Sequence, residues 1–352
     1  RFGVQAEDDG KNPGLSSIQE VLDGECMLRA ALEYGHAHGM RLTAHLCMNR
    51  HYGANHGYRM TSLLARRPDA WELCKDGTPD SSRLCYALED YRQDRWAIIE
   101  DVARLGVDGL CLDFVRQPPM LRYHPAVAEA FRKESGIDPR SIELAFHQTR
   151  PEDFEEFTAW CRFRAKVLTA FMRETRRRLR ACEDSLGRRV PLTARITDNG
   201  FTGNLISGVD IETWCREGLV DGLMLQPLQW IHGLWIHDAR PYVELGRETG
   251  VRVTGGVNTY PVVGWQLNPV CVARRVAEQY AAGVSGIALY ETNHTVLQPE
   301  MEELLAVLDD PDALASLLRD RSWLARWPVT GLNANAGMDN HSGAQRDLLR
   351  DL

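Results

Sequence analysis

Five times along this chain a glycine stands between a run with helical spacing and a short apolar run: Gly39, Gly106, Gly218, Gly250 and Gly283. Glycine closes helices because it accepts the left-handed backbone that the turn after a helix requires. The runs that follow are rich in β-branched residues and span Arg41–Met48, Gly109–Val115, Asp221–Gln226, Val251–Val257 and Gly286–Glu291. Two more, Phe2–Glu7 and Val190–Thr197, have the same character and make seven expected strands. Helical spacing fills the gaps at Gly24–His38, Asp90–Gly106, Ala126–Glu134, Pro151–Glu183, Ile211–Gly218, Ala239–Thr249 and Pro269–Ala282. Strands alternating with helices imply a parallel sheet covered by helices. The expected fold is therefore α/β, a (β/α)8 barrel, with its first strand lying before residue 1. An open doubly wound sheet would carry a glycine-rich phosphate loop after its first strand, and no G-x-G-x-x-G or Walker loop occurs. The expected organisation is a barrel over 1–298 and a helical extension with a polar tail over 299–352.

The formal charge of −8, from 49 acidic against 41 basic residues, repels phosphate backbones and anionic lipid, so no nucleic acid or membrane partner is expected. Nor does any run approach the roughly 18 consecutive apolar residues of a membrane helix. The basic run Arg173 to Arg180, RETRRRLR, reads as a solvated helix face. Nine scattered cysteines without a C-x-x-C pair read as buried thiols, which favours a cytoplasmic, reducing setting.

Barrel chemistry gathers at the C-terminal ends of the strands. Asp113 closes the apolar run Gly109-Leu-Cys-Leu, where a carboxylate is costly unless paired or used, and Arg116 is spaced to pair with it. Glu291 closes SGIALYE in the same way, and Asp198 follows LTARIT, although Asp-Asn-Gly is also turn chemistry. Paired carboxyl groups serve glycosidic cleavage, one protonating the leaving oxygen and the other attacking the sugar or activating water. The other strand-end groups expected to bind substrate are His45, Asn49, Arg50, Arg116, Arg195, Gln226, Asn258 and Tyr260. Trp230, with Tyr52, Trp235 and Trp265 in neighbouring loops, supplies rings for stacking on sugar faces. His36 and His38 precede their strand and fall at the structural end. His45, His51 and His56 are better placed for a metal, but strand alternation separates them, so no metal or cofactor is expected.

Two stretches, EYGHAHGMRLTAHLCMNR and LCYALEDYRQDRWAIIEDVARLGVDGLCLDFVRQP, resemble the glycoside hydrolase family 10-like proteins of the glycosyl hydrolase-like barrel group. The matching positions are His36 to Gly39, Asn49, Arg50, Asp108, Gly109, Asp113 and Arg116. The resemblance covers roughly Ala30 to Pro118 and implies a barrel with Asp113 at the end of its fourth strand. Related barrels that cleave α-linked sugars place a nucleophilic aspartate there, which implies that role for Asp113. Several keep an acid at the end of the sixth strand, where this chain has Gln226, so the proton donor falls to Asp198 or Glu291. The expected activity is hydrolysis of an oligosaccharide or glycoside. A carbohydrate-binding pseudoenzyme and a metal-assisted hydrolase or lyase are the alternatives.

Overall fold

The computed structural model describes residues 26–48, 64, 66–115, 119–143, 151–226, 238–258, 268–290 and 299–328. The fold is α/β, of the (β/α)8 class, and the chain divides into two compact units. One comprises Arg1–Leu192, Leu205–Asp210 and Arg346–Leu352; the other comprises Thr193–Asn204 and Ile211–Gln345.

The first unit begins with helix α1 (Met27–Ala37) and strand β1 (Thr43–Cys47), followed by two short strands, β2 (Trp71–Leu73) and β3 (Pro79–Leu84). Helix α2 (Glu89–Arg104) leads to strand β4 (Gly109–Asp113), and helices α3 (Pro125–Ser135) and α4 (Pro151–Leu186) complete the unit. β1 and β4 are parallel, with Thr43 opposite Gly109 and Cys47 opposite Asp113. α2 forms because Tyr91, Trp96, Ile99, Val102 and Ala103 make one buried stripe, with Glu89 and Asp90 at its N-terminus and Arg104 in its last turn, the charge order a helix dipole favours. That stripe packs on α4: the Trp96 and Phe171 rings stack at 5.4 Å, and the indole N–H of Trp96 donates to Thr175 Oγ1 at 3.0 Å.

The basic run on α4 is only partly a solvated face. Arg173, Arg177 and Arg180 are exposed. Arg178 lies 4.6 Å over Trp96 and donates to Glu100, Gln93 and Glu174, clamping α2 to α4, and Arg176 is buried.

The second unit holds four parallel strands: β5 (Leu192–Thr197), β6 (Gly222–Gln226), β7 (Arg252–Asn258) and β8 (Ile287–Tyr290). Helices α5 (Gly200–Ile206), α6 (Ile211–Arg216), α7 (Arg240–Thr249) and α8 (Pro269–Ala282) lie between them in sequence. α8 has a complete set of end signals. The Asn268 side chain accepts from the N–H groups of Val270 and Cys271, Pro269 fills the first turn, and Gly283 closes the helix at φ +97°. The other glycines read as helix ends, Gly39, Gly106, Gly218 and Gly250, also have positive φ.

Three short helices follow, α9 (Glu302–Leu305), α10 (Pro311–Leu317) and α11 (Arg321–Arg326). Met301, just before α9, and Leu304, Leu314 and Trp323 of these helices share one core with Val257 of β7 and Val270, Val272, Ala273 and Val276 of α8. The helical extension is thus built into the outer layer of this unit. The expected strand Phe2–Glu7 and the polar tail lie outside the described residues. Among those described, no helix is long and apolar enough to cross a membrane. All nine cysteines are free thiols.

Candidate active site

In the first unit, the register of β1 and β4 places His45, Cys47, Cys111 and Asp113 on one face and Leu46, Leu110 and Leu112 on the other. Asp113, the last residue of β4, is 1% exposed. Its Oδ2 lies 3.0 Å from His45 Nε2, and its Oδ1 accepts the backbone N–H of Val115 at 2.8 Å. With the Nε2 tautomer, both contacts donate to the carboxylate and fix its plane. The backbone C=O of Asp113 also accepts the N–H of Met48, at the end of β1. Met48 is fastened in turn: its C=O accepts the hydroxyls of Tyr86 and Tyr91, both buried, and burial raises the pKa of each phenol. Tyr86 and Tyr91 therefore anchor the point from which Asn49 and Arg50 continue.

A second histidine–aspartate contact closes the other end of the same strand pair. His36 Nε2 lies 2.9 Å from Asp108 Oδ2, which also accepts the N–H of Leu42 at 2.6 Å. The His36 contact, then the Leu42 N–H, lowers the Asp108 pKa. The two halves of the sequence resemblance thus touch at both ends of β1 and β4. His38 is turned aside, stacked on Tyr34 and bonded to its backbone oxygen.

In the second unit, Val257 faces α8, and its register neighbour Leu289 packs on the same core. Alternation then places Tyr290 on the face turned away from α8. Arg195 shares that face: its guanidinium carbon lies 3.9 Å from the centroid of the Tyr290 ring, a cation–π contact. Register extends the face to Thr197, Met224 and Gln226, Thr197 standing opposite Gln226 at the strand ends. Arg195, Thr197 and Gln226 are each 2% exposed or less. Asn258 stands opposite Tyr290 in the register.

Asp198 follows Thr197, and its carboxylate meets Arg275 of α8 at 2.6 Å, both side chains being buried. A buried pair of this quality, made to the helix layer, engages the Asp198 carboxylate as an acceptor. Glu291, Asn49, Arg50, Arg116, Trp230 and Tyr260 lie outside the described residues, as do Tyr52, Trp235, Trp265, His51 and His56. Among the described residues, no group of three or more His, Cys, Asp or Glu side chains is arranged to hold a metal ion.

One buried ionic group has no counterpart in the sequence reading. β2 and β3 form an antiparallel hairpin around Asp76-Gly77, with Gly77 at φ +83°. Within it, the Glu72 carboxylate is fully buried and accepts the N–H groups of Arg122 and His124. Burial raises its pKa. Asp80 accepts from Ser82, Arg83 and Arg122. Burial opposes ionisation of Asp80, but Arg83, Ser82 and Arg122 outweigh it and bring the carboxyl down from 3.8 to about 2. A carboxyl depressed in the folded state stabilises above its unfolded pKa, and that contribution fades as pH falls towards 2. Asp80→Asn is therefore expected to cost roughly 2–3 kcal/mol at neutral pH and to flatten the decline in stability below about pH 4. Urea unfolding at a series of pH values measures this, and an unchanged acid limb would refute it.

No family model matches the chain, and no curated protein matches it in sequence. Solved structures do resemble it. A β-galactosidase from the psychrophilic Marinomonas ef1 superposes with a TM-score of 0.50 at 12% identity, covering 82% of this chain and 54% of that one. Trehalose-6-phosphate hydrolase from Bacillus licheniformis gives 0.40 at 10% identity over 89% of this chain and 64% of its own. The glycoside hydrolase domain of PelA from Pseudomonas aeruginosa gives 0.37 at 12% identity over 76% and 84%. This chain spans about half the length of the β-galactosidase structure. What it shares with that structure is the (β/α)8 fold.

Proposed function

We propose that the protein is a glycoside hydrolase of the family 10-like group, with Asp113 as nucleophile or base. The observation that carries this reading is the Asp113 carboxylate itself: buried at the C-terminal end of a parallel strand, oriented by His45 and the Val115 N–H. A carboxylate held by two donors on a rigid strand is prepared to attack an anomeric carbon or to take a proton from water.

The general acid is Glu291, which follows Tyr290 at the end of β8 in the sequence. Asp198, the other candidate, has its carboxylate turned to Arg275 of α8. His45, Arg195, Gln226 and Asn258, with Asn49, Arg50, Arg116, Trp230 and Tyr260, bind the glycan. Incubating the protein with a panel of oligosaccharides and aryl glycosides, followed by anomer-resolved NMR, tests the proposal. Release of a reducing sugar is expected, and the anomer first formed distinguishes a nucleophile from a base. Glycan binding without cleavage across the panel would identify a pseudoenzyme instead.

A further inference from the structure

In a regular sheet, β7 would continue to pair with β6 up to their ends. Arg252 N–H donates to Asp221 C=O at the start of the pair, so the alternation of a parallel ladder would bring Gly256 N–H to Leu225 C=O. It goes elsewhere. The Gln279 amide of α8 accepts Gly256 N–H at 2.8 Å and donates to Gly256 C=O at 3.2 Å, taking up the groups that would otherwise pair with a strand. Pairing of β6 with β7 ends at Met224 and Thr254, whereas β5 stays paired with β6 up to Thr197 and Gln226.

At the ends of β5 and β6 are two buried polar atoms, Thr197 Oγ1 and Gln226 Nε2, with no hydrogen-bond partner among the described residues. A buried donor left unmet is costly, and in a native protein it calls for a reason. Their backbones are held with care. Thr197 N–H donates to Asn204 Oδ1, and Thr197 C=O accepts both Asn204 Nδ2 and the Tyr242 hydroxyl. Gln226 C=O accepts the N–H of Asp198, whose side chain is pinned by Arg275. Two unmet donors on an immobilised backbone have the form of a binding subsite.

We infer that Thr197 and Gln226 form a carboxylate-recognition subsite, which makes the substrate an acidic, uronic-acid-type sugar; the inference rests on the hydrolase reading above. An amide N–H can only donate, and the Thr197 hydroxyl is free to donate beside it. A carboxylate accepts at both oxygens, whereas a sugar hydroxyl brings a proton of its own that must also be placed. The buried guanidinium of Arg195, two residues before Thr197 on the same face and stacked on Tyr290, supplies the matching charge.

Calorimetric titration of the full chain with glucuronate and with glucose tests this. Glucuronate should bind about ten-fold more tightly. Thr197→Val and Gln226→Leu should each remove about ten-fold of glucuronate affinity and narrow its preference over glucose. Thr197→Ser keeps the hydroxyl and should keep the preference. Melting curves identify any variant that does not fold; the wild-type preference and the remaining variants then decide. Equal affinity for the two sugars, binding of neither, or a preference untouched by the substitutions overturns the inference. Cleavage is read separately, with p-nitrophenyl glucuronides and glucosides of both anomers. Glucosides cleaved as fast as glucuronides would leave the hydrolase standing and remove the acidic subsite. Selective glucuronate binding with no cleavage of any glycan would remove the hydrolase and keep the subsite.

Discussion

Replacing Asp113 with Asn is expected to lower turnover by about 10³-fold or more on whichever panel glycoside the wild type cleaves, with little change in stability. The substitution is nearly isosteric, and the amide oxygen can still accept the Val115 N–H that Asp113 Oδ1 receives. His45 can shift its proton to the other ring nitrogen and accept from the new amide, so the contact between β1 and β4 is retained. What disappears is the negative charge that, in the proposed role, attacks or deprotonates. Steady-state kinetics alongside circular dichroism and urea unfolding separate the two effects. A correctly folded Asp113→Asn protein with the wild-type rate would end the assignment.

The second large effect concerns stability. Removing the carboxylate in Asp198→Ala strands the Arg275 guanidinium, which is 8% exposed, and breaking a buried pair in this way costs about 3–5 kcal/mol. Replacing both partners, Asp198→Ala with Arg275→Leu, should recover most of that loss, because no buried charge then lacks its counterion. Urea unfolding of the single and double variants gives the coupling directly. If Asp198 were instead the proton donor, the single variant would lose activity mainly on substrates with poor leaving groups. In that case Arg275→Leu would restore nothing.

Much of this architecture was legible because it depends on local chemistry. The five helix-closing glycines needed a positive φ, and each has one. The six expected strands that fall among the described residues all occur, within a few residues of their expected bounds. The β2–β3 hairpin was not read, although Asp76-Gly77 is a recognised turn pair. Its charged residues, Glu72, Asp80 and Arg83, turn inward to partners such as Arg122 and disrupt the apolar alternation that marks a strand. Helix α5 was missed because Asp-Asn-Gly reads as a turn; it is one, with Gly200 at φ +78°, and a helix starts from it.

The candidate site divides in the same way. Asp113 is conspicuous as a lone acid ending an apolar run, but its histidine lies 68 positions away and is found only through strand register. Asp198 is a weaker candidate than Glu291 in the sequence because Asp-Asn-Gly is turn chemistry, but its partner, 77 positions on, appears only in the fold. Burial of Thr197 Oγ1 and Gln226 Nε2 with no partner among the described residues is a tertiary property that no local pattern encodes.

The Gln279 amide has a mechanical consequence. Where two strands bond directly, their spacing is fixed at about 4.8 Å by the peptide groups themselves. Here Gln279 of α8 takes up those peptide groups of Gly256 instead, and a Cβ on Gly255 would lie 2.4 Å from its oxygen, so a larger residue at 255 would push the amide aside. α8 in turn rests on Met301 and on Leu304, Leu314 and Trp323 of the terminal helices. The end of β7 at Gly256 is therefore positioned from the periphery. A change in packing under α8 would shift the end of β7 at Gly256 without any substitution in the sheet itself.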